Sequence, residues 1–357
     1  SDVGARVRWY RHARDPRKLQ HDMALSVSHL SDLDKNSELN MNIEGEIEKE
    51  IDAFDLFDKH AISLGAGADI FHNRGMDSSL GTAAIIHLEP VFRASIREFD
   101  ILLGLRAEAA ADSSASLSLA PLAEVRIHVL ESALSIFFGT DGKIERNSYR
   151  WYRDQNPYLS TQLPLNFRET KYRFYGGLEG RLGQRFSFNT TLAASRLENV
   201  PFFLTDTTWA PFSRFTVVQD ESSLFDVRAT LVYQHRKKWQ SRALLVFQQH
   251  SLSSGTPWHV PELYGSLAME YNLREKFNIE AEVLAMGKRK ALKYQNGTMD
   301  EVTPKGYTDI SLGVEYRYSR ILSAFVQANN ILGIKYEEWA NYPQQGLKIM
   351  GGLTYSF

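Results

Sequence analysis

The chain has 357 residues, of which 24% are charged, with a formal net charge of -2. No run of about 18 apolar residues occurs, which excludes a bundle of membrane-spanning helices, and the balanced charge gives no indication of a nucleic-acid partner. The absence of cysteine excludes disulfides, cysteine-ligated metals and thiol nucleophiles.

The first 60 residues give the weakest pattern. Alternating runs occur at residues 3–9, 23–27 and 39–47, whereas residues 11–20 show no strand pattern. Counting hairpins backward from the C-terminus makes the run at 3–9 begin on the outer side of a membrane. Either this run does not span the membrane, or an earlier strand lies outside the given sequence. We expect no plug domain between residues 1 and 58.

Strand pairs with a less regular alternation occur from residue 86 to residue 138. One hairpin turns at residues 97–100, and a second occupies residues 121–138. Pro90 and Pro121 lie inside these runs, and we expect bulges there because proline cannot donate to a β ladder. A long loop follows at about residues 148–170.

From residue 172 onward a hairpin pattern repeats. Short turns at 183–185, 236–238, 274–276 and 319–320 alternate with longer polar loops, such as the one at about 199–213. This asymmetry is typical of the periplasmic turns and extracellular loops of bacterial barrels. In the last strand Leu353, Tyr355 and Phe357 share one face, which we predict to meet lipid.

These patterns predict an all-β fold, a transmembrane antiparallel β-barrel of about 16 strands (range 14–18), with residues 1–357 as a single domain. Only every second strand residue of such a barrel meets lipid, which explains the low overall hydrophobicity. A closed barrel is also the only sheet that satisfies every backbone group in lipid. The aromatic content of 12% is sufficient for girdles at both membrane interfaces.

The opposite strand faces carry charges of both signs, which a hydrated lumen can accommodate. The predicted lumen-lining residues are Arg106, Glu108, Glu124, Arg126, Arg173, Glu179, Asp226, Arg228, Glu270, Glu280, Glu282, Glu315 and Arg317. We expect Arg106 to pair with Glu124, and Glu108 with Arg126, because they lie on neighbouring strands. The loops at 148–170 and 199–213 are long enough to fold inward and narrow the lumen.

Signals for catalysis and metal binding are weak. The ten histidines are scattered without metal-ligand spacing, and His87 and His128 are interpreted as lumen-lining residues. No Gly-x-Ser-x-Gly elbow, phosphate loop or dinucleotide fingerprint occurs. We therefore predict a protein that is not an enzyme, with no catalytic residues, no cofactor and no metal site.

The C-terminal hairpin resembles that of TonB-dependent receptors. The resemblance rests on residues 328–336, Ala-Asn-Asn-Ile-Leu-Gly-Ile-Lys-Tyr, and on 342–347, Tyr-Pro-Gln-Gln-Gly-Leu, before the terminal Phe357. The turn departs from the Pro-Gly-Arg usual in that family. Residues 156–159, 170–172 and 175–178 are similar to plugless, receptor-like barrels of Bacteroidota.

The resemblance implies a place in the outer membrane of a Gram-negative bacterium. It also implies that Leu353, Tyr355 and Phe357 form an insertion signal read by the barrel-insertion machinery. Two functions remain open at this point. One is porin-like transport, the passage or binding of a solute; the other is a plugless structural or accessory subunit of a larger outer-membrane complex. The expected partners are outer-membrane lipid, the insertion machinery and other outer-membrane or surface lipoprotein subunits, with no nucleic acid.

Overall fold

The computed structural model describes residues 2–11, 15, 17–33, 35–52, 54–75, 81–112, 115–130, 133–160, 162–208, 214–295 and 298–356. Seventeen strands form one antiparallel sheet, which confirms the predicted all-β fold and falls inside the predicted range of strand number. Two further strand pairs lie within long loops.

In chain order the elements are β1 (Asp2–Arg11), β2 (Gln20–Ser31), β3 (Ser37–Glu50), β4 (Lys59–Arg74), β5 (Thr82–Ile96), β6 (Phe99–Ala111), β7 (Ala115–Leu130), β8 (Leu134–Arg146), α1 (Tyr149–Gln155), β9 (Phe167–Leu182), β10 (Phe186–Thr205), β11 (Phe215–His235), β12 (Trp239–Leu252), β13 (Leu263–Leu273), β14 (Phe277–Met286), β15 (Ala291–Gln295), β16 (Thr298–Val302), β17 (Tyr307–Arg317), β18 (Leu322–Asn329), β19 (Glu337–Trp339), β20 (Tyr342–Pro343) and β21 (Lys348–Tyr355). The β15–β16 and β19–β20 pairs are separate hairpins, and every other strand pairs with its neighbour in the sheet. No helix among the described residues is long and apolar enough to cross a membrane.

The outer face of the sheet is apolar and exposed. Ile86, Leu103, Phe138, Leu245 and Val326, from five different strands, each leave more than half of their surface uncovered. Such a continuous apolar surface is unfavourable in water and matches the lipid-facing band of a membrane barrel. The residues of opposite parity on the same strands are largely polar, as the alternation in the sequence predicts.

The two ends of the sheet differ in the lengths of their connections. At one end the turns are short, as at 97–98, 183–185, 236–238 and 274–276, whereas the other end has connections of up to 20 residues, such as 147–166 and 287–306. The predicted turns are therefore confirmed. We call the short-turn end periplasmic and the long-loop end extracellular, following the usual asymmetry of such barrels.

The first run of the chain is a strand of the sheet. β1 pairs with β2 from Asp2↔Leu30 to Arg11↔His21, so the alternative that this run lies outside the set of strands is wrong. In the described part of the chain no pairing joins β1 to β21. Because the sheet has 17 antiparallel strands, β1 and β21 run in the same direction, and a direct pairing between them would be parallel.

The expected bulges at the two prolines are absent. Pro90 lies opposite Leu64 and Pro121 opposite Leu105, both in continuous register. On the other side of β5, residues 89 and 90 are missing from the ladder with β6, because proline lacks the N–H that would complete the pair. The register is the same before and after this gap, so no extra residue is inserted. Bulges occur elsewhere, for example at residues 171–172 of β9, opposite Gly142, where a Cβ on the glycine would approach the carbonyl oxygen of Thr170 to 2.8 Å.

Candidate solute-binding site in the lumen and the extracellular cap

On the β3–β9 side of the lumen, most of the inward charges lie in ion pairs, although Glu44 and Glu108 form none among the described residues. Arg106 donates to the Glu89 carboxylate at 2.6 Å, and Arg93 donates to Glu48 at 2.8 Å. Each of these groups is about one quarter to two fifths exposed, which is consistent with a hydrated wall rather than a dry core. Partly exposed pairs of this kind contribute at most about 1 kcal/mol each.

The prediction of two ion pairs, Arg106–Glu124 and Glu108–Arg126, is wrong, because the β6–β7 register holds the two residues of each pair apart. Glu124 lies opposite Leu102, four residues from Arg106, which is about 13 Å along the strand at about 3.3 Å per residue. Arg126 lies opposite Asp100, which is even farther from Glu108.

The structure gives these side chains other partners. Arg106 lies across from Glu89 on β5, whereas the Glu108 carboxylate accepts the backbone N–H of Ile144 at 2.6 Å. Arg126 donates to Glu124 at 2.8 Å and also contacts Glu179 across β8. This wall therefore carries ion pairs, but the predicted cross-strand pairs are not among them.

Several other residues singled out in the sequence have identifiable contacts. Arg173 donates to Asp141 at 2.8 Å, and Arg317 donates to Glu315 at 3.4 Å. The His128 ring contacts Asp100 at 2.8 Å, as expected of a hydrogen-bonded lining residue. His87 lines a cleft of about 380 Å³ together with Glu44, Glu89 and Arg93.

The opposite wall, formed by β12–β18, carries acidic groups without basic partners. Glu270 lies directly across from Glu280, and Glu282 lies two residues farther along β14. No ion pair among the described residues involves these three carboxylates or the predicted lining residues Asp226 and Arg228.

These glutamates line a cleft of about 460 Å³ that also includes Gln240, Arg242 and Gln327. The three carboxylates outnumber the single guanidinium of Arg242. The cleft is therefore an acidic, water-accessible part of the lumen.

Helix α1 is anchored to the inward face of the barrel wall at the extracellular end. The buried Glu38 carboxylate on β3 accepts the backbone N–H groups of Tyr149 at 2.7 Å and Arg150 at 3.3 Å. Ser148 caps the same helix terminus through a hydrogen bond from the Trp151 N–H. A carboxylate at this position satisfies unpaired donors and complements the helix dipole.

Loops from most of the extracellular end meet in one apolar cluster, which we call the extracellular cap. Its buried residues are Leu30, Tyr149, Tyr152, Leu163, Leu165, Phe203, Phe215, Val217, Ala291 and Ala340. They come from β2 near one end of the sheet, from the β18–β21 connection at the other end, and from elements between them. Contacts between such distant elements require a curved sheet, with the cap packed across its mouth.

The predicted inward folding of the first long loop agrees with this arrangement. The second loop differs from its prediction because β10 continues to Thr205, after a register shift between Leu197 and Val200 near Asn199. Residues 209–213 of that predicted loop lie outside the described residues.

A basic side chain and a histidine lie buried beside the cap. Arg289 is 5% exposed and donates to the carbonyl oxygen of Glu338 at 3.0 Å. The His259 ring packs 5.3 Å from Phe215 and 5.0 Å from Trp339, with no hydrogen-bond partner for either ring nitrogen among the described residues. Burial, with a smaller effect of the Arg289 charge, lowers the pKa of His259 to about 3.

This shift predicts that the cap is destabilised by acid. An opened cap exposes His259, whose pKa then returns to about 6.5, so the open form binds more protons below that pH. The closed form should lose up to about 1.4 kcal/mol per pH unit as the pH falls from about 6.5 towards 3, and should be unaffected above pH 7.

Tryptophan fluorescence titrated from pH 8 to pH 4 would measure this effect, with His259→Phe as the matched variant that cannot titrate. The wild type should show the transition and His259→Phe should lack it. Identical curves would contradict the assignment.

Little in the sequence could have identified the cap. Its members come from seven separate segments and show no common spacing, so their association depends on the curvature of the sheet. A weak signal was present in the aromatic content of the long loop, at Tyr149, Trp151, Tyr152 and Tyr158. The sequence around Glu38 contained no signal for its contact with helix α1, because a single acidic residue in an alternating strand is an ordinary lining residue.

No protein-family model and no curated protein matches this sequence. Solved structures do match. Pseudomonas aeruginosa FpvA bound to heterologous pyoverdines has a TM-score of 0.69 at 13% identity, covering 100% of this chain and 56% of FpvA. The ferric-catecholate import receptor Fiu from E. coli K12 has a TM-score of 0.69 at 11% identity, covering 100% and 64%. The siderophore receptor PirA from Acinetobacter baumannii has a TM-score of 0.69 at 12% identity, covering 100% and 62%.

This chain has the barrel fold of the TonB-dependent outer-membrane receptors. The likeness agrees with the resemblance of the last hairpin, while an origin in Bacteroidota stays a prediction. The chain spans 56 to 64% of the length of these three receptors. Fiu is an import receptor and PirA a siderophore receptor, whereas at these identities the comparison establishes only the fold of this chain. An outer-membrane location follows from this fold together with the apolar outer face.

Proposed function

We propose that this receptor-like barrel binds a solute beneath its extracellular cap and passes it along the lumen. The observation that carries the proposal is the cleft of about 460 Å³ beside Glu270, Glu280 and Glu282, carboxylates without basic partners in the described part of the chain. A structural barrel needs no such uncompensated charge, because paired groups like Arg106 and Glu89 stabilise the opposite wall.

The charge of the cleft bears on the class of solute. Carboxylates enclosed by low-dielectric walls raise the local concentration of cations and repel anions. FpvA is bound to pyoverdines in its structure, and Fiu is an import receptor for ferric catecholates. These likenesses favour a metal chelate as the solute of this barrel. Of these classes, a chelate with a cationic or neutral surface suits the acidic cleft better than a strongly anionic one.

The decisive test is ion selectivity in planar bilayers with the full-length protein. We expect cation-selective currents, and Glu280→Lys should reduce the cation preference several-fold because it reverses a charge in the cleft. Glu301→Lys is the matched control, since Glu301 lies on the extracellular β15–β16 hairpin away from the cleft and pairs with Lys290.

An anion preference, or equal shifts of the reversal potential in the two variants, would contradict the proposed route. If neither the wild type nor a variant with an opened cap conducts ions, and a partner protein co-purifies in stoichiometric amount, the accessory-subunit function is favoured instead.

A further inference from the structure

Three neighbouring turns at the periplasmic end are basic. The β11–β12 turn reads Arg236-Lys237-Lys238, the β13–β14 turn Arg274-Glu275-Lys276, and the β17–β18 turn Tyr318-Ser319-Arg320-Ile321. The six strands that they connect are consecutive in the sheet. Within the described ranges, none of the basic residues in these turns forms an ion pair. The three turns carry six basic side chains and one carboxylate, Glu275, so the net charge of this arc is positive.

The turns surround a cleft that combines basic and apolar groups. It has a volume of about 1210 Å³ and is lined by the basic turn residues together with Tyr318, Ile321 and Leu322. Glu275 of the β13–β14 turn also lines it, as do Glu315, Arg317, Ser323 and Thr354 from the inward strand faces, so the cleft lies at the rim of the lumen. Tyr318 is 71% exposed and Ile321 is 49% exposed, so both side chains are available to a ligand. A ligand that satisfies both parts of this surface must be amphipathic.

An aromatic girdle fixes the position of these turns relative to the membrane. On the lipid-facing side, the Trp239 ring packs 6.5 Å from Tyr233 and 5.4 Å from Tyr271, and Phe277 packs 4.8 Å from Tyr316. Aromatic belts lie at the level of lipid headgroups. The basic turns follow these residues within a few positions, which places their charges beside the headgroups of the periplasmic leaflet.

The basic arc is not a general property of this end of the barrel. The β3–β4 connection contains Asp52, Asp55 and Asp58, and the β5–β6 turn contains Glu98. A feature that merely anchored the barrel in the bilayer would be expected around its whole circumference. Other periplasmic connections also carry basic residues, such as Lys18 and Arg97, but beside acidic ones, so the largest excess of positive charge lies in the arc of the three turns. This excess indicates a local binding surface.

We propose that this basic cleft binds the phosphate headgroup of an anionic phospholipid in the periplasmic leaflet. Lysine and arginine side chains contact the phosphate, and the acyl chains lie against Ile321, Leu322 and the aromatic girdle. The exposed apolar residues beside the charges favour a lipid over an acidic periplasmic protein, which would require no acyl-chain surface. The proposal does not depend on the solute proposed above.

The test compares lipid retention by the full-length protein in nanodiscs of phosphatidylglycerol and phosphatidylcholine mixed in equal amounts. After extraction into mild detergent, native mass spectrometry counts the bound lipids. We expect the wild type to retain phosphatidylglycerol several-fold over phosphatidylcholine. The variant Lys237→Glu/Lys238→Glu/Lys276→Glu should lose this preference, and the matched control Lys18→Glu/Lys59→Glu/Arg97→Glu, whose residues lie in or beside other periplasmic connections, should keep it.

Two further measurements keep the test decisive if the charge-reversal variant fails to fold. In the wild type the preference should fall as sodium chloride is raised, because headgroup contacts are screened. Inorganic phosphate at millimolar concentration should not displace the lipid, since it lacks acyl chains. Equal retention of both lipids by the wild type, or equal loss in both triple variants, would overturn the proposal. Displacement of the lipid by phosphate would also overturn the proposal, because it would show a simple anion site. The same holds if an acidic protein binds the cleft without phosphatidylglycerol.

Discussion

Tyr152→Ala should open the extracellular cap. Tyr152 is fully buried, its ring contacts Phe203 and Trp151, and its hydroxyl donates to the carbonyl oxygen of Pro164 at 2.9 Å. Removing a buried aromatic ring typically costs about 3–5 kcal/mol. A loss of this size should release the 149–166 segment from the mouth while the membrane-embedded strands stay folded.

Limited trypsin digestion would measure this opening, because Arg150 and Arg153 lie in helix α1. Tyr152→Ala should be cleaved there rapidly in intact outer membranes and should conduct ions more often than the wild type. Tyr152→Phe is the matched control, because it keeps the ring and loses only hydrogen bonds worth about 1 kcal/mol. Equal protection of Tyr152→Ala and wild type would show that the cap does not depend on this residue.

Deletion of Phe357 should prevent assembly in the outer membrane almost completely. Phe357 lies outside the described residues, but β21 is paired with β18 as far as Leu322↔Tyr355, and Leu353 and Tyr355 are exposed on the outer face. In the receptors that the last hairpin resembles, the terminal aromatic residue is part of the signal read by the insertion machinery. The result should be an unfolded chain that is degraded in the periplasm.

Heat-modifiable mobility of the outer-membrane fraction on gels would report assembly. Ser356→Asp is the control, because it introduces a charge next to the terminus on the opposite strand face. We expect this variant to assemble much better than the deletion. Comparable levels of folded protein for both would mean that the terminal residue has no special role.

The sequence determined the fold class through a purely local property. Apolar residues at every second position define one face of a strand, so alternation alone indicated the strands around Phe174, Phe225 and Leu312. The short turns were equally local, because their charged residues interrupt the alternation for three or four positions. The C-terminal end of β10 was harder to predict. The strand extends past Asn199 because a bulge absorbs the irregular residues there.

The contacts between side chains were decided by tertiary structure. Arg106 could have met any inward acid on a neighbouring strand. The β5–β6 register places it across from Glu89, and the β6–β7 register places Glu124 four residues away. Register depends on turn geometry and on the pairing of whole strands, which a pattern of period two leaves free in steps of two residues. The unpaired acidic wall at Glu270 and Glu280 follows from the same cause.

The cap illustrates the remaining limit. Alternation along a strand fixes which face Glu38 occupies, but it contains no information about a helix more than 100 residues away that donates its N–H groups to that carboxylate. The sequence by itself therefore determined that this protein is a lipid-facing antiparallel barrel with a polar interior, because those properties depend on residues two positions apart. The register of the strands decided which inward charges are paired, and the curvature of the sheet decided which loops close the mouth, because those contacts join residues that only the folded barrel brings together.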